Sequence, residues 1–208
     1  MAEKKKRLSA AQRRSQLLEV GRGVFAEHGY NGGSVEEIAR AAKVSKPIVY
    51  EHFGGKEGLY AVIVDREMDS LVKRIATQIA TGSPRQRFEQ AVLAFLTYVK
   101  DEPDGFSVLT RDAPGTGTGM QSVISDLADR VGDIFEQQLK HAGLDTQVAP
   151  IYAHALIGMV TLVGQWWIEN KDLDVEHVAK HVAAIGWMGL RHIPKSPEFA
   201  PETGNLAP

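Results

Sequence analysis

Cysteine is absent from all 208 residues, which removes disulfide frameworks, thiolate zinc sites and cysteine nucleophiles together. No apolar run reaches the roughly 18 residues needed to cross a bilayer. The opening MAEKKKRLSAAQRR lacks the apolar stretch that a secretory signal carries after its basic start. A cytoplasmic protein with no membrane partner is the expectation. Strand-like alternation and internal repeats are missing as well, which argues against sheet and solenoid folds. Clusters able to carry chemistry are just as scarce. His177 and His181 stand four apart, but no carboxylate or third histidine joins them at ligand spacing. GTGTG at 115–119 follows no strand and precedes no Lys-Ser/Thr pair, and GGKE at 54–57 has Tyr50 where a phosphate loop needs its first glycine. No metal, no cofactor and no enzymatic activity are expected.

What is present is apolar material at helical spacing. With 43 % hydrophobic and 24 % charged residues, the chain suits one or two packed domains. Ser9 and Gln12 form a capping-box pair ahead of Leu17, Val20, Val24 and Phe25, a run that Gly29 stops. Ser34 and Glu37 repeat the device before Ile38, Ala41 and Ala42, giving a helix that ends near Lys43. After a turn at Val44, Ser45 caps a third helix with Pro47 in its first turn, where the missing N–H costs nothing. That helix ends at FGG. Leu59, Ile63, Leu71, Ile75 and Ile79 mark a long helix closed by TGSP, and RFEQAVLAFLTYVK resumes the pattern. Residues 101–119, containing DEPDGF and APGTGTG, read as turns and a mobile loop. Residues 122–141 form an amphipathic stretch, and Pro150 opens IYAHALIGMVTLVGQWWIEN, apolar on nearly every face. VEHVAKHVAAIGWMGLRHI follows, before a proline-rich flexible tail at 194–208. The fold expected is all-α with about nine helices.

Charge separates the two ends. Residues 1–60 hold 11 Lys/Arg and 7 Asp/Glu (+4), and residues 61–208 hold 13 and 19 (−6). A basic N-terminal region favours a polyanion. The two short helices joined by a short turn suggest a helix-turn-helix, whose second helix can lie in the DNA major groove. In that second helix Val49 and Phe53 share the inner face, and Lys46, Pro47, Tyr50 and Glu51 fall opposite. The domains expected are 1–60 for DNA binding, with a basic flexible arm at 1–8, and 61–193 for ligand binding and dimerisation.

The stretch GVFAEHGYNGGSVEEIARAAKVSKPIVYEHFGGKEGLYAVI resembles the DNA-binding region of the TetR, or tetracycline-repressor-like, family of transcription regulators. The resemblance implies that Ser34 and Lys56, each at a helix start, touch phosphates. It makes Ser45, Lys46, Pro47, Tyr50 and His52 the recognition surface, with His52 on the DNA backbone. Two positions depart from the family pattern. Lys43 stands at a turn position that is usually glycine, where a left-handed backbone costs about 1 kcal/mol or more. Glu51 would repel phosphates but can accept from a cytosine N4 amino group, which would make it a discriminator.

For the remainder the resemblance implies a ligand-responsive homodimer, commonly a repressor, acting on double-stranded DNA at a palindromic operator. Phe95, Tyr98, Phe106, Ile157, Thr161 and Trp166 come from segments that surround a ligand cavity in that family, and their apolar character favours a small hydrophobic effector. AAIGWMGLRHIP looks like the C-terminal stretch of members that sense fatty acyl chains, which makes an acyl or acyl-CoA ligand the expectation. Trp166, Trp167 and Trp187 otherwise read as core or interface. Gly158, Gly164, Gly186 and Gly189 would let the last two long helices approach their counterparts across a two-fold axis. Two alternatives stay open: a helix-turn-helix protein with a structural or protein-partner role and no effector, and an all-α enzyme. A cavity among the middle helices separates the first from the expectation, and an assembled acid-base or metal group would be needed for the second.

Overall fold

The computed structural model describes residues 8–111, 120–141, 143–170, 172–193 and 198. Within them the chain forms α1 (Ala10–Gly32), α2 (Val35–Ala41), α3 (Lys46–Phe53), α4 (Lys56–Gln78), α5 (Pro84–Asp101), α6 (Pro103–Thr110), α7 (Met120–His141), α8 (Ala149–Glu169) and α9 (Val175–Leu190), with a 3-10 turn at Thr146–Val148. Residues 1–7 of the basic arm and the proline-rich tail apart from residue 198 lie outside the described residues, as does GTGTG.

The first three helices and the start of α4 close around one core. The α1 capping box is complete: Ser9 Oγ accepts from the Gln12 N–H at 3.2 Å, and Gln12 Oε1 accepts from the Ser9 N–H at 2.9 Å. Gly29 breaks α1 as its position suggests, with φ 68°, and one last turn carries the chain to Gly32. Leu17 and Phe25 of α1, Val35 and Ile38 of α2, Val49 of α3, and Leu59 and Ile63 of α4 are buried together. Each side chain so removed from water stabilises the fold by about 1.5–3 kcal/mol. This unit is called the head below.

Lys43 adopts the left-handed conformation, φ 56°, between α2 and α3, where its backbone is strained for want of a glycine. Gly58 serves closeness instead. A Cβ there would lie 2.0 Å from the Phe53 carbonyl oxygen, so only glycine lets α4 seat directly behind α3.

A second core, the body, joins Met68 and Leu71 of α4 to Val92, Phe95, Leu96, Tyr98 and Val99 of α5, Phe106 and Leu109 of α6, Leu127 of α7, Val160 and Trp167 of α8, and Val178 and Val182 of α9. Helix α6 corrects the expectation of turns over 101–119. Pro103 starts it and Gly105 lies within it, signals that mimic a loop. Burial holds it: Phe106 and Leu109 enter the body core while Val108 enters the head core. Tyr60 donates its hydroxyl to the Val108 carbonyl at 3.1 Å, which ties α4 to α6 at this seam.

Two further readings need correction. Although its sequence is interrupted by polar residues, the segment Thr146–Glu169 is long and apolar enough, by length and composition, to cross a membrane. In this fold α8 lies against α5 and α7. Gly164 and Gly186 do not serve a seam between copies, because a Cβ on the first would meet Val99, Phe95 and Phe106, and on the second Phe88 and Leu156, all within the same chain. Gly158 and Gly189 have open space before them.

Gly58→Ala forces a methyl against backbone that cannot yield and should cost about 1–3 kcal/mol. Lys43→Gly relieves strain of about 1–2 kcal/mol, less the entropy a glycine adds to the unfolded chain, and should raise the melting temperature slightly. Thermal denaturation checks both; an unchanged Gly58→Ala variant would show that α4 has room to shift off α3.

Candidate nucleic-acid interface

Helix α3 offers one fully buried side chain, Val49, so its outward residues are presented by a narrow attachment. Helix α1 reinforces it. Arg14 Nη1 donates to the His52 carbonyl at 2.7 Å, one of the orphan acceptors at the end of α3, and its guanidinium lies 4.4 Å from the Phe53 ring centroid. Gln16 donates to the Ala42 carbonyl at 3.3 Å and so holds the end of α2. Both short helices are thereby referred to α1. Arg14 was not among the residues read from the sequence, where it is only one more base in a basic segment.

Among the expected DNA-contacting residues, Lys46 lies over the Tyr50 ring and pairs with Glu36, two residues after Ser34. Ser34 is the N-cap of α2 and its hydroxyl accepts from the Glu37 N–H at 3.1 Å. Ser45 stands at the N-cap of α3 without a side-chain capping bond, contrary to the capping expected, which leaves its exposed hydroxyl available. Lys46, Pro47, Tyr50 and Glu51 are exposed, Tyr50 to 46 %. A large aromatic left so open next to charges is suited to a base edge or sugar. His52 is half-buried beside Phe53, with ring centroids 6.1 Å apart. Lys56 begins α4, where its ammonium sits 4.5 Å from the Tyr30 ring centroid and 3.4 Å from the Asn31 carbonyl. The free N–H groups at the starts of α2 and α4 point the same dipole sign toward an anion.

Electrostatics adds a feature not foreseen. Lys46 is bonded to Glu36 of α2; that hydrogen bond first, and the opposite charge with it, raise the lysine above its ordinary range and lower the glutamate below its own. Between residues 34 and 57 four bases meet four acids, so this surface is neutral overall. The positive bias comes from residues 1–14, with six bases and one acid.

The other expected group, for a ligand, divides. Phe95, Tyr98 and Phe106 are buried in the body core, Phe95 and Phe106 meeting edge to face at 6.0 Å, and Ile157 packs against them. Thr161 is buried with its hydroxyl lacking a hydrogen-bond partner. Trp166 stands apart, half-exposed on the outer side of α8, and its neighbour Trp167 is the buried one, donating its Nε1–H to the Leu173 carbonyl at 2.9 Å. Three clefts of about 370, 420 and 290 Å³ border α4, α5, α8 and α9, and none of the six residues lines them. His177 and His181 lie 4.7 Å apart between ring centroids, and among the described residues no third ligand completes a metal group.

Comparison with known proteins agrees with this geometry over both halves. Residues 17–63 match the profile of bacterial regulatory proteins of the tetR family, and residues 84–189 match the tetracyclin repressor-like C-terminal domain. The chain belongs to the TetR family. It is a DNA-binding transcriptional regulator and not an enzyme. The transcriptional activator FasR of Mycolicibacterium smegmatis is 28 % identical over 191 residues, 90 % of this chain and 87 % of that protein. In fold, the chain resembles the fatty acid degradation regulator FadR from Bacillus halodurans (TM-score 0.71, 21 % identity, 90 % of this chain and 100 % of that one). It also resembles AibR, solved in complex with isovaleryl coenzyme A and operator DNA (TM-score 0.67, 22 % identity, 83 % and 97 % covered).

Within this family surface, Glu36→Gln frees Lys46 and should raise affinity for all duplex DNA severalfold while steepening its salt dependence. Removing Lys56 should lower all affinities and flatten the slope of log K against log salt by about 0.9, whereas Tyr50→Phe and Glu51→Gln should change the ratio between preferred and random duplex. Fluorescence anisotropy across a salt series reads both; equal losses on every duplex for all variants would contradict these roles.

Proposed function

We propose that the chain is a homodimeric, ligand-responsive repressor that leaves a palindromic operator when a small hydrophobic molecule, of the acyl or acyl-CoA class, enters the body. The observation that carries the ligand reading is Thr161. Its hydroxyl is buried without a partner on α8, four residues after Ile157 and three before Gly164, whose Cβ would meet Phe95 and Phe106, and such a group costs free energy unless something bonds to it. Among neighbours in fold, FadR is a fatty acid degradation regulator and AibR was solved with isovaleryl coenzyme A, which motivates acyl-CoAs as probes.

Support for the dimer comes from α8 and α9. Ile151, Ala155, Gly158, Leu162 and Trp166 recur at helical spacing along the outer face of α8, and Ile185 and Met188 are about two-thirds exposed on α9. Apolar stripes of this kind mark an interface. Two such helices per copy form a four-helix seam, with heads set to reach half-sites about one helical turn, roughly 34–36 Å, apart. Trp166 then belongs to the seam. Residues 61–193 would act as the effector and dimer domain behind a DNA-binding domain at 1–60, in the cytoplasm. The switch is a tilt of α4, which begins at Lys56 beside α3, driven by tighter ligand binding to the conformation that does not fit DNA. Activation is the second reading, favoured by the similarity to the transcriptional activator FasR.

Light scattering at micromolar concentration should give a dimer, and Leu162→Glu a monomer with weakened operator binding; a monomeric wild type would remove the seam. Acyl-CoAs of increasing chain length should release the protein from operator DNA, with length dependence. No release at any length, together with unchanged thermal stability, would eliminate the acyl class. Transcription in vitro that rises on adding the free protein would assign activation.

A further inference from the structure

Between head and body lies a group of buried charges that DNA reading does not use. Arg22 of α1 has a side chain only 14 % exposed, with Nη2 2.6 Å from Glu102 Oε2. Its Nε lies 3.2 Å from Glu67 Oε1 without being aimed for a hydrogen bond, and Nη1 is 3.6 Å from Glu19. Glu67 of α4 is buried, and its Oε2 accepts from the Tyr98 hydroxyl of α5 at 3.0 Å. Arg74 brings Glu102 and Asp101 under a second guanidinium, 3.2 Å from each. Gly105 of α6 closes the cluster. A Cβ on it would lie 2.1 Å from Glu67 Oε2, 2.6 Å from the Tyr98 hydroxyl and 2.9 Å from Arg22 Nη2.

Each group has one role. Burial works against the Arg22 charge, but Glu102, Glu67 and Glu19 outweigh it and hold the guanidinium above the ordinary arginine value. Burial, and then the charge of Glu67, push the Tyr98 phenol far above its ordinary value, so it acts as donor to the carboxylate. Apolar contacts let helices slide with little directional penalty, whereas a buried ion pair loses strongly when its partners separate. The four helices α1, α4, α5 and α6 meet here. We infer that Arg22, Glu67, Glu102 and Tyr98 form a polar latch that sets the angle of the head on the body, making Arg22 a positioning residue for DNA reading.

The inference concerns the joint within one chain and requires neither a dimer nor an effector. Two mild variants open the latch by different routes. Tyr98→Phe removes one hydrogen bond, and Gly105→Ala inserts a methyl that only the latch side chains can yield to, while alanine favours the helix that carries it. Spin labels at Ala11→Cys and Arg87→Cys, unambiguous because the chain has no native cysteine, report the head-to-body distance when labelled chains are diluted with unlabelled ones. The duplex is one that the wild type selects from a random pool, compared with unselected duplex. Both variants should broaden or shift the distance and lower affinity for selected duplex by roughly 2- to 30-fold, with affinity for unselected duplex unchanged. Glu102→Gln, at a side chain 32 % exposed, replaces either variant that fails to fold. Unchanged distances and unchanged discrimination in the folded variants would overturn the latch, as would parallel losses on both duplexes with the distance intact.

Discussion

Helix α4 must satisfy two hydrophobic cores at once, and the rest of the molecule follows from that constraint. Its 23 residues span about 34 Å. Leu59 and Ile63 belong to the head, Met68 and Leu71 to the body, and Val64 touches both. A rigid helix held at both ends cannot rotate in one core without disturbing the other. Because it starts three residues after α3, with Gly58 pressed against the Phe53 carbonyl, the reading helix inherits its orientation.

Helix α6 and the Arg22 cluster make sense as supports for that rod. Val108 plugs the head core, the Val108 carbonyl takes the Tyr60 hydroxyl, and Arg111 donates to the Glu27 carbonyl of α1 at 2.8 Å. The head is thus braced by apolar contact, by side-chain hydrogen bonds to backbone carbonyls and by buried charge. These differ in how they yield: contact slides, hydrogen bonds break singly, and a buried ion pair resists separation most. On the DNA side the logic reverses. Val49, the partly buried Ile48 and Phe53, and Arg14 hold α3, which leaves Tyr50 and Glu51 turned outward while Lys46 is tied to Glu36.

Local signals in the sequence carried the head almost entirely. Ser9 closes its full capping box, Ser34 makes only the half in which its hydroxyl accepts from the Glu37 N–H while the Glu37 carboxylate faces His28, Gly29 breaks α1, and Lys43 takes the left-handed turn. Each depends on neighbours within a few residues. The signals failed where the cause is distant. Pro103 and Gly105 imitate a loop, and only Phe106, Val108 and Leu109 reaching two cores reveal the helix. Arg22 looks like any surface arginine beside Glu19 until Glu102, eighty residues on, closes over it. Trp166 and Trp167 differ by one position, which turns a side chain by about 100° around the helix and exchanges interior for surface. The lysine bonded to Glu36 escaped for the same reason, since a ten-residue separation bridges two helices and has no periodic signature.

If DNA meets this chain along α3 and the starts of α2 and α4, amide chemical shifts followed by NMR as duplex DNA is added to the isotope-labelled protein will show it. The largest changes are expected between residues 45 and 56 and at residues 34–37, with α5, α8 and α9 changing least. Changes concentrated on α5, α8 or α9, with residues 45–56 undisturbed, would contradict it.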